Sequence, residues 1–137
     1  MPDRVRAVAK DWFAEGNWRE SVLSNQPGGL DRVSCDRRGK QVWADGLDFA
    51  TSELLDAKFV ASAGRSPFVA GGQVPDFIQA KIDAKIGDEF ARYSAVIGDS
   101  GNPLRGLRVI TNEPGAVPYF KAMMEKYGVP GVATLGN

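Results

Sequence analysis

From residue 54 onward the chain alternates. Leu55, Ala57 and Phe59 fall on one face of an extended strand, Asp56 and Lys58 on the other. A carboxylate and an ammonium two positions apart then project side by side from a rigid element. A second β-like stretch lies just upstream and carries Asp45 and Asp48, with a short polar turn over residues 50–53 between the two. A hairpin therefore brings one or both of these acids against the Asp56/Lys58 face. Two carboxylates converging beside a lysine suit a hard divalent cation and the water it activates. The same letters recur in Asp83-Ala84-Lys85, inside a helical pattern, so the triplet alone carries little information. Strand context and the upstream acids set the first copy apart; its bland reading is an exposed strand face with a surface ion pair.

What the chain lacks narrows the chemistry. There is no histidine among the 137 residues, which removes histidine-based triads, histidine-metal nucleases and histidine acid–base pairs. A single cysteine, Cys35, excludes a disulfide framework and a cysteine-ligated zinc site, and its alternation with Val33 reads as a small buried hydrophobe. Any metal must bind through oxygen, which favours Mg²⁺ or Mn²⁺. Net charge is zero, which argues against long non-specific tracking along nucleic acid and leaves room for a local basic patch. No apolar run approaches the roughly 18 residues of a membrane span, so no membrane association is expected. The polar start, Met1-Pro2-Asp3-Arg4, carries no signal-peptide pattern. Length and a composition 43% hydrophobic and 25% charged predict one compact domain over residues 1–137.

Val5, Val8 and Trp12 recur at helical spacing, predicting a helix over 3–15 that Gly16 ends. Asn17 and Glu20 form a capping-box pattern before a short helix to about residue 25. Glu20 reads either as the cap's partner or as a helix carboxylate facing the site. After the breaker run 26–29, β-like stretches at 30–35 and 40–49 flank the turn composition Asp36-Arg37-Arg38-Gly39. With residues 53–61 they make an antiparallel meander whose last hairpin holds the acids. Residues 61–74 are rich in glycine, serine and proline, and a loop of that length directly after a site strand is more often functional than decorative. Arg65, its only charge, is the expected substrate contact.

Pro75 opens the clearest helix, in which Ile78, Ile82, Ile86, Phe90, Tyr93 and Ile97 form one apolar stripe. Lys81, Lys85, Asp88, Glu89 and Arg92 decorate the other faces and are expected in solvent. Gln79 and Lys81, in the early turns, are placed to reach substrate at the end of the sheet. The last third reads strand, helix, strand over 107–111, 117–127 and 132–135, with Pro118 in the helix's first turn and Gly128 as its C-terminal cap. Such a crossover joins parallel neighbours.

A helical start, a meander carrying Asp…Asp-x-Lys, a long helix and a closing β-α-β resemble the PD-(D/E)xK restriction-endonuclease-like fold. This is an α/β (α+β) architecture with a central mixed sheet flanked by helices. The likeness spans the chain in layout and is closest in Ala44-Asp45-Gly46-Leu47-Asp48 through Leu54-Leu55-Asp56-Ala57-Lys58-Phe59. It is most similar to the restriction-endonuclease-fold toxin domains at the C-termini of bacterial polymorphic toxins. Asp45 matches that family's first acid, with Asp48 as its rival, because a one-residue change in turn length exchanges their facing. Asp56 matches the second acid and Lys58 the lysine. Gly16-Asn17-Trp18-Arg19-Glu20 resembles a Gly-x-x-x-Glu in the first helix of relatives. No proline precedes Asp45, and aspartate stands at 56 where glutamate is commoner.

The resemblance implies a Mg²⁺- or Mn²⁺-dependent endonuclease acting on DNA rather than RNA. Asp45, Asp56, the Ala57 carbonyl and Glu20 would hold the metal. It further implies a cognate immunity protein, and an effector secreted and delivered into the cytoplasm of a target cell. Two other readings stand beside it: a non-catalytic binding domain of the same fold, and a cellular repair or resolvase-type nuclease.

Overall fold

The computed structural model describes residues 44–48, 50–98 and 104–136. The helices expected before residue 26, the strand at 30–35, the hairpin turn at 36–39, Cys35 and Glu20 lie outside that range. Among the described residues, four strands form one sheet in the order β1 (Gly46–Asp48), β2 (Glu53–Lys58), β3 (Gly106–Thr111), β4 (Gly131–Leu135). β1 runs antiparallel to β2, while β2, β3 and β4 are mutually parallel. Two helices, α1 (Asp76–Ile97) and α2 (Val117–Tyr127), supply the crossovers. The sheet is thus mixed and helix-flanked, the restriction-endonuclease-like α+β arrangement.

The β1–β2 turn is built by Asp48. Its Oδ1 accepts the N–H of Ala50 at 2.9 Å and of Thr51 at 3.3 Å, the aspartate turn that bends a chain back on itself. The register pairs Leu47 with Leu54 and Asp48 with Glu53. Leu54, Leu107 and Val109 then join the main core with the buried side of α1. Leu55, Ala57 and Ile110 form a separate cluster on the opposite face. By strict alternation Asp56 and Lys58 share the face of Leu54. They point under α1, into the larger core, and not from the exposed face of the bland reading.

α1 begins at Pro75, whose carbonyl accepts the N–H groups of Ile78 and Gln79, a role a proline fills without loss because only its N–H is missing. Its buried residues, Ile86, Gly87, Phe90, Tyr93, Val96 and Ile97, all lie beyond the first two turns. Ile78 and Ile82, expected in the stripe, are only half-buried, because the loop after β2 covers the helix start less completely than the sheet covers the remainder. Gly87 makes room for a side chain of α2: a Cβ there would sit 2.3 Å from the Tyr127 hydroxyl. α2 ends at Gly128, whose φ of 67° suits a residue without a side chain.

Asn112, directly after β3, fastens the exit of β2. Its Oδ1 accepts the Val60 N–H at 2.7 Å and its Nδ2 donates to the Val60 carbonyl at 2.8 Å, so one side chain imitates a strand neighbour. Val60 is buried. Asn112→Ala is expected to leave both groups unpaired and to lower stability by about 1–3 kcal/mol in urea unfolding. An unchanged midpoint would show that water replaces the amide without penalty.

Candidate active site

Asp45 sits in the bend before β1. Its N–H donates to the Leu55 carbonyl and its Oδ2 accepts the Ala57 N–H, both at 2.8 Å. The carboxylate therefore takes the place a main-chain carbonyl would hold in a continued ladder, and lies alongside β2 in the interior. Asp56 is buried at 3% exposure. The Lys58 ammonium lies 3.2 Å from Asp56 Oδ2 and donates to Glu89 Oε1 of α1 at 2.5 Å. Two carboxylates, from the strand and the helix, thus flank one ammonium, and Asp45 adds its charge from the bend.

The electrostatics follow from that crowding. Burial alone would weaken the charged form of Lys58, but Asp56 and Glu89 outweigh it and hold the amine protonated above its usual range. Burial, then the Asp56 charge, pushes the Glu89 carboxyl up to about 6 against the pull of Lys58. Burial, and then Asp56, also raises the phenol of Tyr93, one helical turn beyond Glu89. Among the described residues, Asp56 Oδ2 and Tyr93 OH are buried side-chain atoms without a hydrogen-bond partner. Oδ2 has the ammonium nearby, yet not in hydrogen-bonding alignment. The Asp56 carboxylate lies close enough to the Tyr93 hydroxyl to act on it directly, so the two polar groups adjoin beneath α1.

Comparison with known families bears on this geometry directly. A family model described as restriction endonuclease fold toxin 2 matches residues 29–130. The chain belongs to that family. No curated protein and no solved structure matches it. For a restriction-endonuclease-fold toxin the coarse functional class is a nuclease toxin, and the matched stretch contains Asp45, Asp56, Lys58, Glu89 and Tyr93.

Divalent metals serve this fold generally, and the residues of this toxin domain fit one. Asp45 and Asp56 are hard oxygen donors on neighbouring segments, and Asp56 Oδ2 is held by the Lys58 ion pair alone, which a cation would replace. Among the described residues no three aspartate, glutamate or cysteine side chains converge closely enough to enclose an ion. A cation there would complete its shell from main-chain oxygen and water, as Mg²⁺ commonly does.

The other sequence-derived residues of the toxin are distributed as follows. Asp48 lies on the opposite face of the sheet, where its Oδ2 is 3.6 Å from Arg108, whose guanidinium also donates to Glu53 at 2.5 Å. Register, rather than residue type, separates the two rival acids. The Ala57 side chain is buried with Leu55, and its N–H is the one Asp45 accepts. Arg65 is exposed in the single 3-10 turn Ala63–Arg65 after β2. Gln79 donates to the Pro67 carbonyl and to Asp83, tying the start of α1 to the loop. Lys81 is exposed. Gln79 and Lys81 precede Glu89 by ten and eight residues, about 15 and 12 Å along a helix axis, so the fold does not bring them to Lys58.

Glu89 and Tyr93 are the residues that sequence reasoning passed over. Glu89 was expected in solvent and Tyr93 in the core. The signal was present: Glu89 stands seven residues after Ile82, three after Ile86 and four before Tyr93, on the flank of the apolar stripe. A carboxylate on that flank has to meet something on the sheet, and the cation available there is Lys58.

Proposed function

We propose that this chain is the catalytic domain of a toxin that hydrolyses phosphodiester bonds in nucleic acid, DNA by preference, with Mg²⁺ or Mn²⁺. The observation that carries the reading is the buried Asp56 carboxylate, ion-paired through Oδ2 with Lys58 at 3.2 Å beside the interior carboxylate of Asp45. Packing alone gives no reason to gather buried acids around one lysine, which favours a binding role over a purely structural one.

Asp45 and Asp56 would hold the cation, with the Ala57 carbonyl and Glu20 completing its surroundings. When bound it would polarise the scissile phosphate and lower the pKa of a bound water. Asp45 is held by the Ala57 N–H, so its carboxylate keeps one orientation whether or not substrate is present. Lys58 stays protonated between Asp56 and Glu89. That makes it a poor base and a good electrostatic partner: it orients the attacking water and offsets the charge that builds on the phosphate oxygens as the P–O bond to the leaving sugar oxygen breaks. The depth of the group, under α1, excludes bulk water and strengthens each of these interactions. Arg65, exposed after β2, is assigned to the phosphate backbone, with Gln79 and Lys81 as outlying contacts.

The purified chain, incubated with plasmid DNA and total RNA with Mg²⁺ or with chelator, is expected to cleave DNA only with the metal. Thermal unfolding adds an independent readout. Metal at about 100 times its dissociation constant raises stability by about 2.7 kcal/mol. Failure of both, on a folded sample, would remove the nuclease reading and leave a non-catalytic domain.

As a toxin the domain would act in the cytoplasm of a target bacterium after secretion, with an immunity protein guarding the producer. Growth arrest on expression, relieved by a neighbouring gene's product, separates this role from that of a cellular repair nuclease.

A further inference from the structure

The Lys58 ammonium has two carboxylate seats on different elements. Asp56, on its own strand, is 3.2 Å away; Glu89, on α1, accepts its hydrogen bond at 2.5 Å. The Lys58 side chain is 13% exposed and that of Glu89 31%, so the pair meets solvent on the Glu89 side. A metal seat on Asp56 is incompatible with an undisturbed Asp56–Lys58 ion pair. The Oδ2 lone pairs would be engaged, and two additional positive charges would repel the amine. A four-carbon lysine stem held by nothing else would swing out toward solvent.

We propose that Glu89 is a positioning residue for Lys58: its carboxylate, fixed on α1, retains the amine in the site while Asp56 is engaged with the cation. This rests on the nuclease reading above. Glu89 stands on α1, which is anchored separately by Phe90 and Tyr93, both fully buried. Its placement therefore does not depend on whether Asp56 is occupied. Protonated and held, the amine faces the phosphate; released, it leaves the site with one positive charge too few. The other charges around the amine are Asp56 and Asp45, both on the sheet side, so Glu89 is the charge on α1 that holds it from above.

Lysine acylation read by mass spectrometry tests this without requiring turnover. In the wild type, Lys58 is expected to label far more slowly than exposed Lys81 and Lys121, with or without Mg²⁺. In Glu89→Gln, Mg²⁺ is expected to raise Lys58 labelling about tenfold, because the flexible stem, released from both carboxylates, swings within reach of the reagent. The control Asp88→Asn, which removes a neighbouring surface carboxylate paired with Arg92, should label like wild type. Labelling of Lys81 and Lys121 and the melting temperature report whether each variant is folded. In cleavage assays Glu89→Gln should lose kcat by roughly 10²-fold with little change in KM, as for a misplaced catalytic group.

The outcomes separate cleanly. Mg²⁺ that stabilises the wild type but leaves Lys58 equally shielded in folded Glu89→Gln overturns the positioning role alone. Mg²⁺ that does not stabilise the wild type removes the metal reading, and this proposal with it. Should Glu89→Gln fail to fold, Glu89→Asp retains the charge on a shorter stem; Lys58 labelling unchanged by Mg²⁺ in that variant supports the proposal, and labelling as fast as that of Lys81 without metal overturns it.

Discussion

Lys58→Ala is expected to abolish metal-dependent cleavage and to weaken the fold at the same time. The lysine is the one cation that Asp45, Asp56 and Glu89 share in the described structure, and Asp56 and Asp45 are 3% exposed. Removing one partner of a buried ion pair costs about 3–5 kcal/mol, and the solvent contact on the Glu89 side places this site toward the lower end. Loss of activity in that variant therefore has two causes, and chemical denaturation must accompany every rate. Asp56→Asn is the cleaner probe. It keeps the shape, leaves Lys58 its bond to Glu89, and removes one negative charge from a group of three. Stability should change little while cleavage falls on the order of 10³-fold, the scale of losing one preorganised electrostatic contributor. Two folded variants cleaving at the wild-type rate would end the assignment of these residues.

The second large effect lies far from the site. Gly131→Ala is expected to detach β4. Gly131 has a φ of 137°, and a Cβ built on it would meet the Leu107 carbonyl oxygen at 1.9 Å and the Leu107 nitrogen at 2.7 Å. Both atoms are main chain in β3, directly across the register that pairs Leu107 with Gly131, so neither can rotate aside. Backbone strain of about 1–3 kcal/mol adds to the loss of the first ladder bonds. The urea midpoint should fall sharply and hydrogen exchange should accelerate along residues 132–135 before it does in β2. Gly71→Ala gives the comparison. Its φ is also positive, at 82°, but nothing lies within 4 Å of the added atom, so strain alone is left. Equal costs at the two glycines would show that crowding against β3 is not what Gly131 relieves.

Much of this arrangement was legible because its signals are local. The helix over α1 follows from isoleucine and aromatic spacing, Gly128 marks the end of α2, and alternation over 54–59 separates Asp56 and Lys58 from Leu55 and Ala57. The choice between Asp45 and Asp48 was not legible. It depends on the β1–β2 register, and the Asp48 carboxylate helps set that register by bonding Ala50 and Thr51. The depth of the site was misjudged for a related reason. Alternation says which residues share a face but not which face the helices cover, and here the charged residues are on the covered side. Glu89 was lost because polar residues on an amphipathic helix are assigned to solvent by default. Only the docking of α1 over β2 shows that this one meets an amine.

Asp45 has a double allegiance that matters to anyone seeking an inert copy of the domain. Because its side chain stands in for a peptide oxygen opposite Ala57, truncating it would unstitch the hairpin's margin as well as remove a carboxylate from the proposed metal seat. An inactive variant that keeps the native shape is better made at Asp56, where the surrounding weave keeps its own hydrogen bonds.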